Sequence, residues 1–451
     1  MPNINIRYTL FISFIFLIIT LDPLVKTIIA LILVFVSLRN NPEQTLIAFS
    51  LIQTITLLNS KIFGYSTPFF TLCRILITIL PFILFFLKNR SFCMKNKIFI
   101  YNSWFTLSIL TINIINLNNN LLSLSLLKLL LYYCGSSFII LSFSFINNLK
   151  NILSWLYALC LNLIILSLII YIFAFEIGLW VDWGIPRPDL FRGVFIHPNQ
   201  VSIILIPFFI LFLYSQNKKS KLDILHIFII SSILFLIIVS GARGGAVGLL
   251  ITIIITLIIS LVKKKYLTQI RQIIIKNKLF LAISLITLLV MSQSVIEIFN
   301  SFALKQSIYK TETIDARELF YLSRGWRILL SIENFIQHPL IGIGFGVPTS
   351  PEDLWRVVYD PIFNFPISAP IEKTFFFSGV LEEFGLIGTI SFFIFYIKWA
   401  STIIRNTHSI FIVALFFSIF TLSIFEFQFF SMGIYGFNWI WLGLITRLSY
   451  N

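Results

Sequence analysis

Charged residues and cysteines are scarce in this chain. Only 11% of the 451 residues are charged and 58% are hydrophobic, whereas charged residues make up about 25% of an ordinary soluble domain. This composition excludes a soluble globular protein. The four cysteines form no Cys-x-x-Cys pair and three lie inside apolar runs, so the sequence supports neither a disulfide framework nor a zinc site.

Long apolar runs recur from end to end. A helix needs roughly 20 apolar residues to cross a bilayer, and the alternation typical of transmembrane barrel strands is absent. We therefore predict an all-α, polytopic helical membrane protein with about fourteen spans, or about twelve without the two short ones. The predicted spans are residues 8–21, 24–38, 45–60, 69–87, 97–117, 121–147, 152–174, 200–215, 224–240, 246–262, 279–295, 376–397, 408–425 and 428–446.

These runs divide the chain into four parts. Residues 1–174 are predicted to form N-terminal transmembrane helices, and residues 175–295 core transmembrane helices with short external motifs. Residues 296–375 form one large external loop, and residues 376–451 the C-terminal transmembrane helices. Because the large loop is the only long segment that is not mainly apolar, we expect the chemistry of the protein there and in whatever faces it.

The formal net charge of +15 comes from short loops between apolar runs. This distribution is the positive-inside pattern of membrane proteins and argues against nucleic-acid binding. Placing the basic loops on the cytoplasmic side puts both termini there as well. Residues 175–199, 241–245 and 296–375 then all emerge on the external face.

The first external stretch ends in Arg192-Gly-Val-Phe-Ile-His-Pro-Asn199, directly before an apolar run. Pro198 followed by Asn199 predicts a helix start with Asn199 as its cap. A helix start offers free N–H groups and a positive dipole end to an anion. Without a ligand, the same residues make an ordinary loop with a capped helix and two surface arginines, Arg187 and Arg192.

The second stretch is the short turn Ser240-Gly-Ala-Arg-Gly-Gly245 between two apolar runs. Glycines are expected in such a turn because they tolerate left-handed backbone conformations, but the turn does not require Arg243. Glycines on both sides let the backbone approach a ligand while the guanidinium points at it. The turn is therefore either a plain connection or a phosphate site.

The third stretch lies in the large loop. Apolar residues recur at helical spacing over residues 324–337, which predicts an amphipathic helix on the external face of the membrane. Arg324 and Arg327 are three apart, so both project from one side. His338 and Pro339 end the helix, and His338 fits a helix-terminal residue as well as a catalyst.

Lys128 and Arg74 lie inside apolar runs. A cation in this position either extends its charged end towards the headgroups or lines a polar vestibule under the external loops. Glu426 is a predicted partner for either one.

These stretches, in this order, resemble the O-antigen ligase and O-antigen polymerase superfamily of bacterial envelope proteins. The resemblance covers roughly the second half of the chain and rests on residues 193–199, 240–244, 338–344 and 381–388, with Arg324. It implies a GT-C-like enzyme of the bacterial inner membrane, with its active site on the periplasmic side. Such an enzyme transfers a glycan from a polyprenyl-diphosphate donor to a glycan or lipid acceptor. It needs no cofactor, and a chain-length regulator is its implied partner.

One position departs from the family pattern. A His-Asn pair often stands about nine residues before the glutamate that corresponds to Glu383, but this chain has Thr374 there, preceded by Glu372 and Lys373. In the ligases that histidine is the favoured catalytic base. The departure therefore favours a polymerase and makes Glu372 the first candidate for the base, ahead of His338 and Glu383.

Breaking a sugar–diphosphate bond develops negative charge on the leaving group. Many glycosyltransferases neutralise this charge with a metal ion on an Asp-x-Asp pair, and the sequence contains no such pair. Arginines can stabilise it by bidentate hydrogen bonds, so we expect a metal-independent, inverting transferase. The residues expected to bind substrate are Arg192, Asn199, Arg243, Arg324, Arg327 and Lys373.

Other classes stay open at this point. A ligase would attach finished chains to a lipid or protein acceptor. A lipid-linked glycan transporter or flippase should show broken helices in related halves. A glycoside hydrolase would use Glu372 with Glu383 and leave the arginines without a role, and a structural membrane scaffold would need no site at all.

Overall fold

The structure is a computed structural model, and helices make up most of the part of the chain that it describes. It describes residues 5–39, 41–64, 67–116, 119–146, 148–182, 185–216, 224–241, 243–263, 266–269, 271, 325–350, 352, 358–359, 366–368, 373, 375–424, 429–430 and 432–450. The described helices are α1 Ile6–Ile19, α2 Pro23–Ser37, α3 Pro42–Thr56, α4 Ser60–Phe63, α5 Pro68–Lys88, α6 Arg90–Cys93, α7 Lys97–Asn116, α8 Asn119–Phe145, α9 Leu149–Phe173, α10 Phe175–Gly178, α11 Pro198–Gln216, α12 Ile224–Val239, α13 Arg243–Val262, α14 Trp326–Gln337, α15 Phe376–Asn406, α16 Ile410–Ile424 and α17 Met432–Ser449.

Local sequence signals fix where several helices begin. α2, α3 and α5 each start at a proline, whose restricted φ suits the first helical position. The residues just before them, Asp22, Asn41 and Thr67, accept hydrogen bonds from backbone N–H groups of the first turn. These N–H groups have no partner inside the helix, so a polar cap stabilises its start.

Seven described helices are long and apolar enough to cross a membrane, while α1, α2, α12 and α16 include shorter apolar segments. The seven segments are Pro68–Lys88, Lys97–Ile115, Leu121–Phe145, Leu149–Phe173, Pro198–Gln216, Gly244–Val262 and Phe376–Asn406. Large apolar side chains such as Leu87 and Phe173 are exposed along these helices, as expected for surfaces that face lipid. The chain is a multi-pass helical membrane protein, as predicted.

Each predicted span that the structure describes overlaps a helix, although α3 ends at Thr56, before the predicted end at residue 60. The predicted span 279–295 and the loop residues up to 324 lie outside the described residues. The amphipathic helix predicted over residues 324–337 is α14, which ends at Gln337 with His338 as its C-terminal cap. α15 continues to Asn406, beyond the predicted end at residue 397.

The all-α prediction needs one correction, because the described residues include two short antiparallel ribbons. β1 Leu179–Asp182 pairs with β2 Ile185–Phe191, and β3 Val358–Tyr359 pairs with β4 Pro366–Ser368. Sequence patterns missed the first ribbon because Pro186 and Pro188 interrupt β2, and proline normally argues against a strand. A two-stranded ribbon has free edges that tolerate it.

An aromatic cluster joins the C-terminal helices beneath the large loop. The Phe430 ring lies 5.0 Å from the rings of Phe384 and Phe392, and 6.0 Å from Phe376. Phe105 of α7 lies 5.7 Å from Phe384. These rings are almost completely buried, so they form a rigid base for the polar residues of the loop.

Candidate active site

α15 is broken at Gly385, and the break binds the segment that follows α14. Gly385 has a φ of 58° and a ψ of −166°, which frees backbone groups on both sides of it. The Ile343 N–H donates to the Glu382 carbonyl at 2.7 Å, and the Leu386 N–H donates to the Pro339 carbonyl at 2.9 Å. Two of the motif segments, residues 338–344 and 381–388, therefore pair through their backbones.

Glycine is required on both sides of this pairing. Gly342 has a φ of 66°, and a Cβ on either Gly342 or Gly385 would overlap backbone atoms of the other segment. Glycine alone combines a positive φ with so close an approach. The break in α15 therefore depends on glycine at both position 342 and position 385.

Glu382 lies at the centre of a buried polar cluster. Its carboxylate accepts hydrogen bonds from Ser331 Oγ at 2.7 Å, Asn334 Nδ2 at 2.7 Å and Thr349 Oγ1 at 3.3 Å. The ammonium of Lys373 lies 2.7 Å from Glu382 Oε2, and both side chains are fully buried. Both carboxylate oxygens thus have strong partners, and Glu382 fastens α14 and the adjoining loop to α15.

Glu383 has a different environment. It is 1% exposed, its Oε1 lies 3.9 Å from Lys373 Nζ, and its carboxylate accepts a hydrogen bond from the Gly346 N–H. Among the described residues, its Oε2 has no hydrogen-bond partner. A buried carboxylate oxygen without a partner is costly, so Glu383 is the carboxylate of the pair with capacity left for a ligand or a proton.

Lys128 completes the cluster from α8. Its ammonium donates to the Gly346 carbonyl at 3.1 Å and interacts electrostatically with Glu383 and Lys373. Lys128 is therefore held by protein groups, which favours the polar-vestibule interpretation over a side chain extended to the headgroups. Two lysines and two glutamates balance each other here, as buried charges require.

The first predicted stretch forms a tightly fastened loop. Arg192 is only 5% exposed, its Nη1 donates to the Ile196 carbonyl at 3.2 Å, and its guanidinium lies 5.6 Å from the Trp180 ring. Asn59 of the segment after α3 donates to the Gly193 carbonyl at 3.2 Å. In this conformation Arg192 stabilises its own loop.

The capping prediction for Asn199 is wrong. α11 begins at Pro198, so Asn199 already lies inside the first turn. The cap is His197, whose Nδ1 accepts a hydrogen bond from the Asn199 N–H at 3.2 Å. Pro198 takes the first position of α11 because the φ of proline already suits a helix and proline has no N–H that needs a partner.

The second stretch meets the first at the start of α13. Arg243 is the first residue of α13, and its side chain lies outside what the structure describes. A Cβ on Gly245 would overlap the Ser202 hydroxyl of α11, so the absence of a side chain lets the two helices touch. The starts of α11 and α13 thus come together at one end of the bundle, where the positive end of each helix dipole lies.

The remaining predicted residues are placed as follows. Glu372 and Arg324 lie outside the described residues. His338 is exposed at the end of α14, and its carbonyl accepts a hydrogen bond from the Gly342 N–H at 2.8 Å. The Arg327 guanidinium lies 5.0 Å from the Trp326 ring.

Sequence reasoning missed the role of Glu382 and its partners. Ser331 and Asn334 are three apart, so they share a face of α14, and this face turns towards Glu382. Leu329 and Ile336 are exposed on α14. The available signal was the polar pair Ser331 and Asn334 within an otherwise amphipathic helix, whereas the prediction of α14 rests on its apolar residues alone.

Among the described residues, no group of three or more His, Cys, Asp or Glu side chains is arranged to hold a metal ion. No family model matches this chain, and no curated protein matches it either.

Proposed function

We propose that this protein is a membrane glycosyltransferase that polymerises surface polysaccharide from a polyprenyl-diphosphate-linked donor on the external face of the inner membrane. The observation that carries the proposal is that two motif segments pair through their backbones, and that the two helices following the other two motifs touch near their starts. Residues 338–344 bind the break in α15, and the start of α11 touches the start of α13 at Ser202 and Gly245.

Helix α16 lies between these two pairs. On one side, a Cβ on Gly248 of α13 would contact Leu422 of α16. On the other side, the Phe420 ring of α16 lies 5.3 Å from Phe376 at the start of α15. Both pairs therefore flank the same end of α16, which charge distribution assigns to the external face. A lipid-linked substrate would meet both from the outer leaflet.

The proposed reaction is a direct displacement. The acceptor hydroxyl attacks the anomeric carbon of the donor sugar, and the bond between that carbon and the diphosphate oxygen breaks with inversion. The hydroxyl proton passes to a base, and the polyprenyl diphosphate leaves with its bonding electron pair. Stabilising the negative charge that grows on the diphosphate is the largest demand on the protein.

Arginines are proposed to meet this demand. Arg243 is the first candidate because it starts α13, where the free N–H groups and the helix dipole also favour an anion. Arg324 and Arg327 would add charge from the large loop. Arg192 and Asn199 would support the loop beside it, since Arg192 is bound within that loop.

For the base, Glu372 remains the first proposal, with Glu383 and His338 behind it. Glu383 gains support from its unpartnered Oε2, whereas the neighbouring Glu382 is saturated with hydrogen bonds. Lys373 is proposed to hold both carboxylates in place rather than to bind substrate, because its ammonium is buried against Glu382.

The second candidate function is a ligase that transfers finished chains to a lipid or protein acceptor, and a non-enzymatic transporter or flippase is the alternative from another class. Thr374 in place of the ligase histidine favours a polymerase. A transporter should place polar residues near mid-membrane in related halves, whereas the cluster here gathers at the start of α15.

Deletion of the gene followed by gel analysis of surface polysaccharide tests the proposal. Single repeat units attached without long chains indicate a polymerase. Loss of all attachment with accumulating lipid-linked chains indicates a ligase, and accumulation of single lipid-linked units on the cytoplasmic side indicates a flippase. An unchanged polysaccharide profile contradicts all three.

A further inference from the structure

A basic cavity lies at the opposite end of the bundle from the candidate active site. It has a volume of about 670 Å³ and is lined by residues just before and at the start of α7 and by the C-terminal ends of α8, α15 and α17. The proposed transfer chemistry gives this cavity no role.

Every charged residue among those that line the cavity is a cation: Lys95, Lys97, Arg405 and Arg447. None of the four forms an ion pair with a residue in the described part of the chain. The Arg447 Nε is buried and has no hydrogen-bond partner within the described ranges. Four like charges around one cavity repel each other, so a bound anion would relieve both the repulsion and the unsatisfied donor.

Helix dipoles alone do not explain this arrangement. Arg405 and Arg447 lie in the last turns of α15 and α17, where a cation is favourable. Lys97 is the first residue of α7, where the dipole disfavours a cation. All four cations line the same cavity, and this shared position explains why they lie together.

The position of the cavity indicates the source of the anion. Its cations belong to the short basic loops and helix ends that charge distribution assigns to the cytoplasmic side of the membrane. Apolar Phe92 and Ile98 line the same cavity, and exposed Met94 lies between them in the chain. Basic pockets between transmembrane helices on this side suit phospholipid headgroups.

We propose that this cavity binds the phosphate headgroup of an anionic phospholipid from the cytoplasmic leaflet. The guanidinium groups of Arg405 and Arg447 hold the phosphate, and Lys95 and Lys97 neutralise its remaining charge. The bound lipid joins the ends of α8, α15 and α17. Because α15 also carries Glu382, Glu383 and the break at Gly385, the lipid stabilises the helix on which the candidate active site is built.

The test uses the full chain purified into lipid nanodiscs of phosphatidylcholine alone or mixed with phosphatidylglycerol. Thermal unfolding is followed for the wild type, for Arg405→Gln and for Arg405→Gln with Arg447→Gln. Lys150→Gln is the matched control, since Lys150 is an exposed cation predicted on the same side and lies outside the cavity lining. In a parallel arm, inorganic phosphate or pyrophosphate is added to phosphatidylcholine nanodiscs at constant ionic strength.

We expect phosphatidylglycerol to raise the unfolding temperature of the wild type and of Lys150→Gln. The double variant should lose this shift and bind the lipid about tenfold more weakly or worse, because charge-assisted hydrogen bonds to phosphate are among the strongest. The exposed Arg405→Gln should lose part of the shift without impairing folding. Equal shifts in all variants, or stabilisation by free phosphate but not by phosphatidylglycerol, would overturn the proposal.

Discussion

Two adjacent glutamates show how the same residue type takes different roles. Glu382 is hydrogen-bonded or ion-paired to Ser331, Asn334, Thr349 and Lys373, whereas one oxygen of Glu383 has no partner among the residues that the structure describes. Their sequence context, Leu381-Glu-Glu-Phe384, gives no sign of this difference. It arises because a helix turns each successive side chain by about 100°, so the two carboxylates meet different neighbours.

Replacing Glu382 by glutamine should destabilise the protein. The change removes the partner of a buried ammonium, and breaking a buried ion pair from one side typically costs about 3–5 kcal/mol. The additional change Lys373→Met should recover part of this loss, because no unpaired charge then remains. Thermal unfolding in detergent measures both effects. Lys373→Met alone is measured as well. A double variant whose loss of stability equals the sum of the losses in the two single variants would contradict the pairing.

Replacing Glu383 by glutamine should leave stability largely intact, so this variant tests Glu383 as the second candidate for the base, behind Glu372. Lys373 keeps its closer partner, Glu382, so the fold should persist. Loss of a general base lowers the rate by about a hundredfold or more. Long-chain polysaccharide and protein level are measured in the same cells, with Glu372→Gln compared in parallel. Normal chain length in Glu383→Gln with loss in Glu372→Gln would assign the base to Glu372 and exclude Glu383.

At the scale of elements, the broken helix α15 is the feature on which the site depends. Gly385→Ala would place a Cβ against the Leu340 backbone and force a non-glycine residue to a φ of 58°. We expect a loss of stability of several kcal/mol, roughly the largest that single substitutions produce. Ile390→Ala is the control, because Ile390 is 57% exposed on the same helix. A Gly385→Ala protein as stable as this control would contradict the paired segments.

Element positions were largely predictable from the sequence. Apolar runs identified the helices, and their predicted starts at residues 24, 45 and 69 lie one to three residues after the starts of α2, α3 and α5. The break at Gly385 was not predictable, because a lone glycine inside an apolar run is compatible with a continuous helix. Its conformation depends on residues 339–344, and such long-range pairing leaves no local signal.

The candidate site was predictable only in part. His338 as a helix end and Glu383 as a site residue came from short motifs, but the buried partner Lys128 lies more than two hundred residues away in the chain from Gly346. The sequence predicted Glu426 as a partner of Lys128, but Glu426 lies outside the described residues, and the contact that the structure shows is with Gly346. Tertiary packing supplied that contact.

For the whole molecule, the orientation in the membrane is directly testable. His338→Cys should react with a membrane-impermeant maleimide from outside intact cells, whereas Lys95→Cys should react only after permeabilisation. The four native cysteines are buried and unpaired, so background labelling should be low. Wild type and Lys150→Cys serve as controls. Labelling of both positions from the same side would contradict the assigned orientation.

We propose that this protein transfers a glycan from a lipid diphosphate at the external end of its helix bundle, and one measurement tests this proposal most directly. The most direct measurement combines the purified protein in nanodiscs with lipid-linked repeat units extracted from cells that lack the gene, and follows chain length. We expect long chains from the wild type and from Arg271→Ala, an exposed arginine on the predicted cytoplasmic side. Arg243→Ala should be slower by about a hundredfold. Absence of chain growth with the wild type, or equal growth with Arg243→Ala, would contradict the account.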